Sequence, residues 1–298
     1  MMIRLRNDRL EIEIDTKGAQ LRSIRDMHAC EYLWQGDARY WSDSAPILFP
    51  FIGRLFQKKW QHKGTEYQMD IHGFASASGF SVKEQSVNRA VLSLCSNEET
   101  YRSYPFDFAF DVEYELVADS VEVTFTVTNP GAETLPFAAG GHPGFNVPLE
   151  NGLRFEDYVL EFSQECQPVR IGFSPDVLLN GHDEPFGLTE GKYLFLSHGL
   201  FDDDAIILKN MPHEVVLHPV HRGRALRLSF PDMPYLGIWH CPGTSAPYVC
   251  IEPWTSLPAR QDVIEDFSCK SDMIHLAPGC TYSNKWSITT IQEEKEYD

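Results

Sequence analysis

Much of what directs a chain to nucleic acid or to a membrane is missing from this sequence. Basic residues are scarce, with 25 Lys and Arg against 43 Asp and Glu and a formal net charge of −18 at pH 7. Nucleic-acid binding rests on cationic contacts to phosphates, and anionic membrane surfaces attract polybasic segments, so neither partner is expected. No uncharged apolar run is long enough for a membrane helix, and the opening MMIRLRNDRL alternates charge with apolar residues, unlike a secretory signal. The seven cysteines are an odd number and form no CxxC pair, which leaves no zinc ribbon and no thioredoxin-type motif. They read as reduced thiols in a cytoplasmic protein, serving mostly as small apolar side chains. Gly-rich phosphate loops and the GxSxG turn of α/β-hydrolases are absent as well. So are linkers, internal repeats and low-complexity tracts.

What is present is alternation. Phe106, Phe108, Phe110, Val112, Tyr114 and Leu116 are spaced by polar residues, and after Ala118-Asp119-Ser120 the pattern resumes at Val121, Val123, Phe125 and Val127. Two such runs joined by a short polar turn predict an antiparallel hairpin with one wet face. Leu10–Ile14, turned at Thr16-Lys17-Gly18 into Ala19–Ile24, predicts another. Further strands are expected at Tyr158–Phe162, Glu214–Leu217, Ala225–Phe230, Tyr235–His240, Tyr248–Glu252 and Tyr282–Ile291. Helical periodicity is weak, with one or two turns expected at Asn97–Ser103. Many short strands and no βαβ rhythm predict an all-β fold, a large antiparallel β-sandwich with few short helices. It is expected to form a single domain over residues 1–298, the last six (EEKEYD, 293–298) being a frayed charged tail.

Polar residues embedded in apolar runs mark candidate functional positions. Arg54 ends APILFPFIGRL; either it emerges into solvent or its planar fork is held at the lip of a pocket for ligand oxygens. His72, in DIHGF, taken alone reads as a structural hydrogen-bonder. His142, in FAAGGHPGFNV, is flanked by small residues that leave room for a ligand; a pKa near neutrality would suit a proton donor, and a buried structural histidine is the alternative. Glu252, in YVCIEPWTSLPAR, shares a face by alternation with Tyr248, Cys250 and Trp254. Burial there makes it a stronger base, unless Arg54 or Arg260 neutralises it. His213, His218 and His221 fall on different faces of a run broken by Pro219, which argues against zinc.

Together, in this order, the Arg after FPFIG, the HGF, the GGHPGFN and the IEPW resemble the aldose 1-epimerase (galactose mutarotase-like) family, and most closely its LacX-like branch. The resemblance runs from the LEIEIDTKGAQLRSI hairpin to the final strands. It implies the galactose mutarotase-like supersandwich, with a sugar site in a cleft on one sheet and interconversion of the α and β anomers of an aldose. No cofactor and no metal are implied. Carried over by motif, His142 would be the general acid and Glu252 the general base, with Arg54 and His72 holding ring and hydroxyl oxygens. The family's acidic binding residue falls in FDDDAIILK, at Asp204, with Asp203 the close rival. Trp254 and Trp34 are the aromatic faces expected to stack on the sugar. The segment after IEPW, TSLPAR, departs from relatives and leaves Arg260 able to meet a phosphate or a sugar hydroxyl.

The implied chemistry suits these residue types. Opening a cyclic hemiacetal removes the C1 hydroxyl proton and protonates the ring oxygen, work for one base and one acid. Three rivals stay open: a non-catalytic sugar-binding or sensor protein, an epimerase acting on a hexose 6-phosphate, and a glycoside hydrolase or lyase. The hydrolase would ordinarily need a second carboxylate. The expected partner is a small sugar; the oligomeric state, monomer or homodimer, is not specified by sequence.

Overall fold

Residues 1–292 are described in a computed structural model of the chain; the tail expected at 293–298 lies outside the described residues. Two antiparallel sheets dominate. The larger has nine strands, in the order Tyr193–Phe195, Tyr158–Phe162, Glu214–Pro219, Ala225–Ser229, Thr281–Ile291, Ser120–Thr128, Ala109–Val117, Arg89–Cys95 and Ser81–Gln85. Its central hairpin is the one expected from alternation, tightened to a two-residue turn because Val117 pairs with Ser120. Buried and half-exposed residues alternate along Ser120–Thr128 without exception, as a sheet with one solvated face requires.

The second sheet has eight strands and carries the functional positions. Its order is Glu184–Pro185, Val169–Arg170, Ile206–Lys209, Tyr235–Trp239, Tyr248–Trp254, Gly140–Gly141 and Ile47–Leu48, with Gly144–Asn146 also paired to Tyr248–Trp254. Its inner face (Ile206, Leu208, Leu236, Ile238, Val249, Ile251) joins one apolar core with Phe110, Val112, Phe125, Val127 and Ile288 of the nine-stranded sheet. The layers are in direct contact: Phe49, just past Ile47–Leu48, stacks on Phe110 with ring centroids 4.4 Å apart. This is the expected sandwich.

Smaller expectations fare variously. The turns at Asn97–Ser103 are an α-helix over Glu98–Ser103, whose first N–H groups are capped by the Asn97 side chain in a box with Thr100. The opening hairpin is extended by a preceding strand, Met2–Arg6, that pairs with Leu10–Asp15. Among the described residues no helix is long and apolar enough to cross a membrane, and all seven cysteines are free thiols.

Candidate active site

The strand Tyr248–Trp254 is buried along its whole length because both its faces are covered. Val249 and Ile251 point into the sandwich core, while Tyr248, Cys250, Glu252 and Trp254 occupy the outer face. The GGHPG segment supplies the neighbouring strand in two pieces. Gly140 pairs with Trp254 and Gly144 with Cys250, so the intervening His142 falls opposite Glu252 in the same register. Residues so placed are cross-strand neighbours whose side chains share a face. His142 Nε2 accordingly lies 3.2 Å from Glu252 Oε2. The backbone N–H of His142 is spent on Pro46 O, and Pro143 O accepts from Ile251, which locks the break in place. Across the strand on the other side stands Gly237, paired with Glu252; a Cβ there would sit 3.2 Å from the Glu252 Cβ. Glycine keeps the space beside the carboxyl open.

His142 and Glu252 line the floor of a cleft of about 470 Å³, a size suited to a small ligand. Arg54, His72, Asp204 and Trp254 line it too, so the six site positions singled out in the sequence are brought together. His72 lines the cleft and is also a structural hydrogen-bonder. The Gly53 N–H donates to His72 Nδ1 at 3.1 Å, and the His72 N–H returns a bond to Gly53 O at 3.0 Å. Because Nδ1 accepts, the proton of the neutral ring rests on Nε2. Burial, with the charges of His142 and Arg54 adding to it, holds this imidazole well below its usual pKa. His72 adopts a left-handed backbone (φ 64°), a conformation an L-residue keeps only when its surroundings enforce it. Arg54 is exposed at the lip, and no carboxylate pairs with it among the described residues.

Asp204 is separated from Asp203 by the same device. At φ 76° its backbone is left-handed, its Oδ1 accepts from the Ala205 N–H at 2.8 Å, and it lines the cleft, whereas Asp203 lines only an adjoining depression. Its charge is felt by Glu252. Burial pushes the Glu252 carboxyl well above the usual carboxylate range, the indole N–H of Trp254 opposes this, and Asp204 adds to it. Glu252 Oε2 is buried without an aligned hydrogen-bond partner, as is the Trp254 Nε1. His142 departs from the expected near-neutral pKa: burial drives it down to about 4. A low-dielectric floor disfavours charge on either group, so each is pushed towards its neutral form.

Comparison with known proteins agrees with this geometry. The aldose 1-epimerase family model matches residues 1–289. The LacX protein encoded on a plasmid of Lactococcus lactis subsp. lactis is 34% identical over 302 residues, covering 98% of this chain and all of that protein. The chain belongs to the aldose 1-epimerase family. Two solved structures sit in the same branch of similarity. A galactose mutarotase related enzyme from Lactobacillus acidophilus is 32% identical, with a TM-score of 0.94 and full coverage of both chains. A galactose mutarotase-like protein from Lactobacillus casei is also 32% identical, with a TM-score of 0.91, covering 98% of this chain and all of that one. Family membership makes this an isomerase of the mutarotase type, with the galactose mutarotase-like fold.

Two expectations need correcting within that family frame. Trp34 does not line the cleft; its Nε1–H donates to Trp41 O at 2.9 Å and its ring stacks on Tyr248 with centroids 4.7 Å apart. The aromatic walls beside Trp254 are Trp41, tilted against the His142 ring at 4.9 Å, and Trp239, edge-on to that ring at 5.7 Å. Alternation offered a signal for Trp239, two residues along the same face from Gly237, whereas Trp41 lies in a loop without one. Arg260 lies outside the cleft, and Glu265 grips its guanidinium through two bonds of 2.9 Å. It therefore neutralises Glu265 and not Glu252. The three histidines do not converge: His213 Nδ1 bonds Pro231 O and His218 Nδ1 bonds Pro219 O.

Proposed function

We propose that the cleft interconverts the α and β anomers of an unphosphorylated hexose by acid–base opening and closing of the ring. The observation that carries this reading is the buried contact between His142 Nε2 and Glu252 Oε2 at 3.2 Å on the cleft floor. The pair works as a one-proton unit. Without sugar, burial favours the proton on Glu252 and a bare imidazole. Sugar hydroxyls donating to the Glu252 carboxyl replace the solvation it lacks, favour its charged form and send the proton to His142. Glu252 then takes the C1 hydroxyl proton while His142 protonates the ring oxygen. The free aldehyde rotates about C1–C2, and closure from the other face returns both protons. Arg54, His72 and Asp204 hold the remaining oxygens, and Trp254 offers its ring to the sugar's C–H face.

A neutral sugar suits the charges. Asp43 and Asp204 line the cleft together with Arg54, and Arg260, the cation next in line to read a phosphate, is held by Glu265. One observation favours the 6-phosphate reading instead, namely the unpaired guanidinium of Arg54. Polarimetry of freshly dissolved α-D-glucose, α-D-galactose and their 6-phosphates tests both. Faster relaxation of free sugars is expected. Acceleration confined to phosphosugars would replace the substrate class, and calorimetric sugar binding with no acceleration anywhere would make the protein a sensor.

A further inference from the structure

Beneath the cleft floor lies one chemically distinctive group that the proposed reaction leaves idle. Cys250 stands two residues before Glu252 on the same face of the same strand and is fully buried. One ring nitrogen of His142, the Cys250 sulfur and one Glu252 carboxylate oxygen all lie within 4.8 Å of one another. Nitrogen, sulfur and oxygen in that combination are the donors zinc prefers, and three protein ligands beside an open position is the arrangement of a zinc that keeps an exchangeable site. The spacing is close to what such a site needs. With bonds of about 2.0–2.3 Å, neighbouring ligand atoms of a tetrahedral zinc stand about 3.3–3.8 Å apart. The His142–Glu252 contact is already 3.2 Å and the sulfur lies within 4.8 Å of both atoms, so completing the set asks for a movement of about 1 Å.

Independent features point the same way. Glu252 is only 1% exposed, and its buried Oε2 has no aligned donor. His142 and Glu252 both line the cleft, so the fourth position opens towards solvent, with Asp204 on the same wall to draw a cation in.

We propose that the floor of the cleft binds one thiophilic divalent cation, of which Zn²⁺ is the type, through His142, Cys250 and Glu252, and that this binding switches the enzyme off in competition with the sugar. The inhibition rests on the mutarotase reading, because a cation on these atoms occupies the lone pairs that move the proton. The thiol proton and the proton shared by Glu252 and His142 both go to solvent as the ion binds, and no electron transfer is involved.

Titration of the chelator-treated full chain with Co²⁺ and Zn²⁺ tests the site directly. One ion per chain is expected, with a thiolate-to-cobalt charge-transfer band that Zn²⁺ abolishes. Cys250→Ser should remove the band and weaken Zn²⁺ binding by at least about tenfold. Should that variant fail to fold, the cobalt band of the unaltered protein decides by whether galactose, which competes only in the cleft, abolishes it. Galactose should weaken Zn²⁺ binding, and stoichiometric Zn²⁺ should suppress sugar relaxation. Absence of a stoichiometric ion, or binding without a thiolate band, overturns the site. Unchanged relaxation with the site filled overturns the inhibition. A protein that binds the ion through Cys250 but never accelerates mutarotation upholds the site and defeats the functional reading alone.

Discussion

Two glutamates of this molecule are each only 1% exposed, and the protein treats them in opposite ways. Burial pushes Glu265 upward, but the paired bonds from Arg260, its backbone N–H and the charge of Lys270 outweigh that and hold the carboxyl below its ordinary range. Glu252 has no aligned donor on Oε2, and burial leaves it well above that range. Glu265 is solvated by the protein; on the proposed reading Glu252 is left for the substrate to solvate. The contrast locates the chemistry more sharply than burial does, since burial is the same for both.

The largest effect expected from breaking this contrast is on rate. Glu252→Gln, or His142→Asn, should cost about 10²–10⁴-fold in mutarotation, the range ordinary for one acid or base. Melting temperature should fall by no more than about 4 °C, because Glu252 Oε2 has no aligned partner to lose and Glu252→Gln relieves a carboxyl whose ionisation burial disfavours. The rate of the unaltered enzyme should fall below about pH 4, where His142 takes up a second proton and the pair no longer contains a base.

Next comes Glu265→Gln, whose expected signature is the reverse. Stability should drop by about 1–2 kcal/mol, modest because the Arg260 side chain is 64% exposed to solvent, while the rate per folded molecule is kept. Chemical denaturation at several pH values separates the two glutamates further. Glu265 has a lowered folded pKa, so its contribution is present above the unfolded carboxylate value and lost as pH falls through the folded one. Glu252 has a raised folded pKa, so its contribution is present below the unfolded value and lost as pH rises through the folded one. Glu265→Gln should therefore flatten the acid side of the stability curve, and Glu252→Gln the side above the unfolded carboxylate value. Equal slopes in both variants would dissolve the contrast.

Smaller effects test the walls of the cleft. Arg54→Gln should raise KM for free hexose about tenfold with a lesser change in kcat, as loss of one charge-assisted contact predicts. Trp34→Phe should cost about 1 kcal/mol of stability and shift KM only slightly, because it removes the bond to Trp41 O and touches no substrate.

The two sheets were unequally legible in the sequence, for a physical reason. Ser120–Thr128 and its partners have one wet face, so alternation betrays them. The site-bearing sheet is covered on both faces and built partly from two-residue pieces such as Gly140–Gly141 and Ile47–Leu48, which have no period to read. Glu252 and His142 stood out even so, because a polar residue in a fully apolar run is an anomaly. Trp41 and Trp239 carry no such mark, because a tryptophan is at home in apolar surroundings and Trp41 lies in a loop. The choice of Asp204 over Asp203 depends on a left-handed backbone that only the folded loop imposes. Arg260 was misplaced for a related reason, its partner Glu265 being set by tertiary packing and invisible to local pattern.

The most direct test of the account is polarimetric relaxation of freshly dissolved α-D-galactose at pH 7, with unaltered enzyme and Glu252→Gln measured side by side. The account predicts a marked acceleration by the unaltered enzyme that falls by about a hundredfold or more in the variant while the variant remains folded. Comparable acceleration by the two would contradict it.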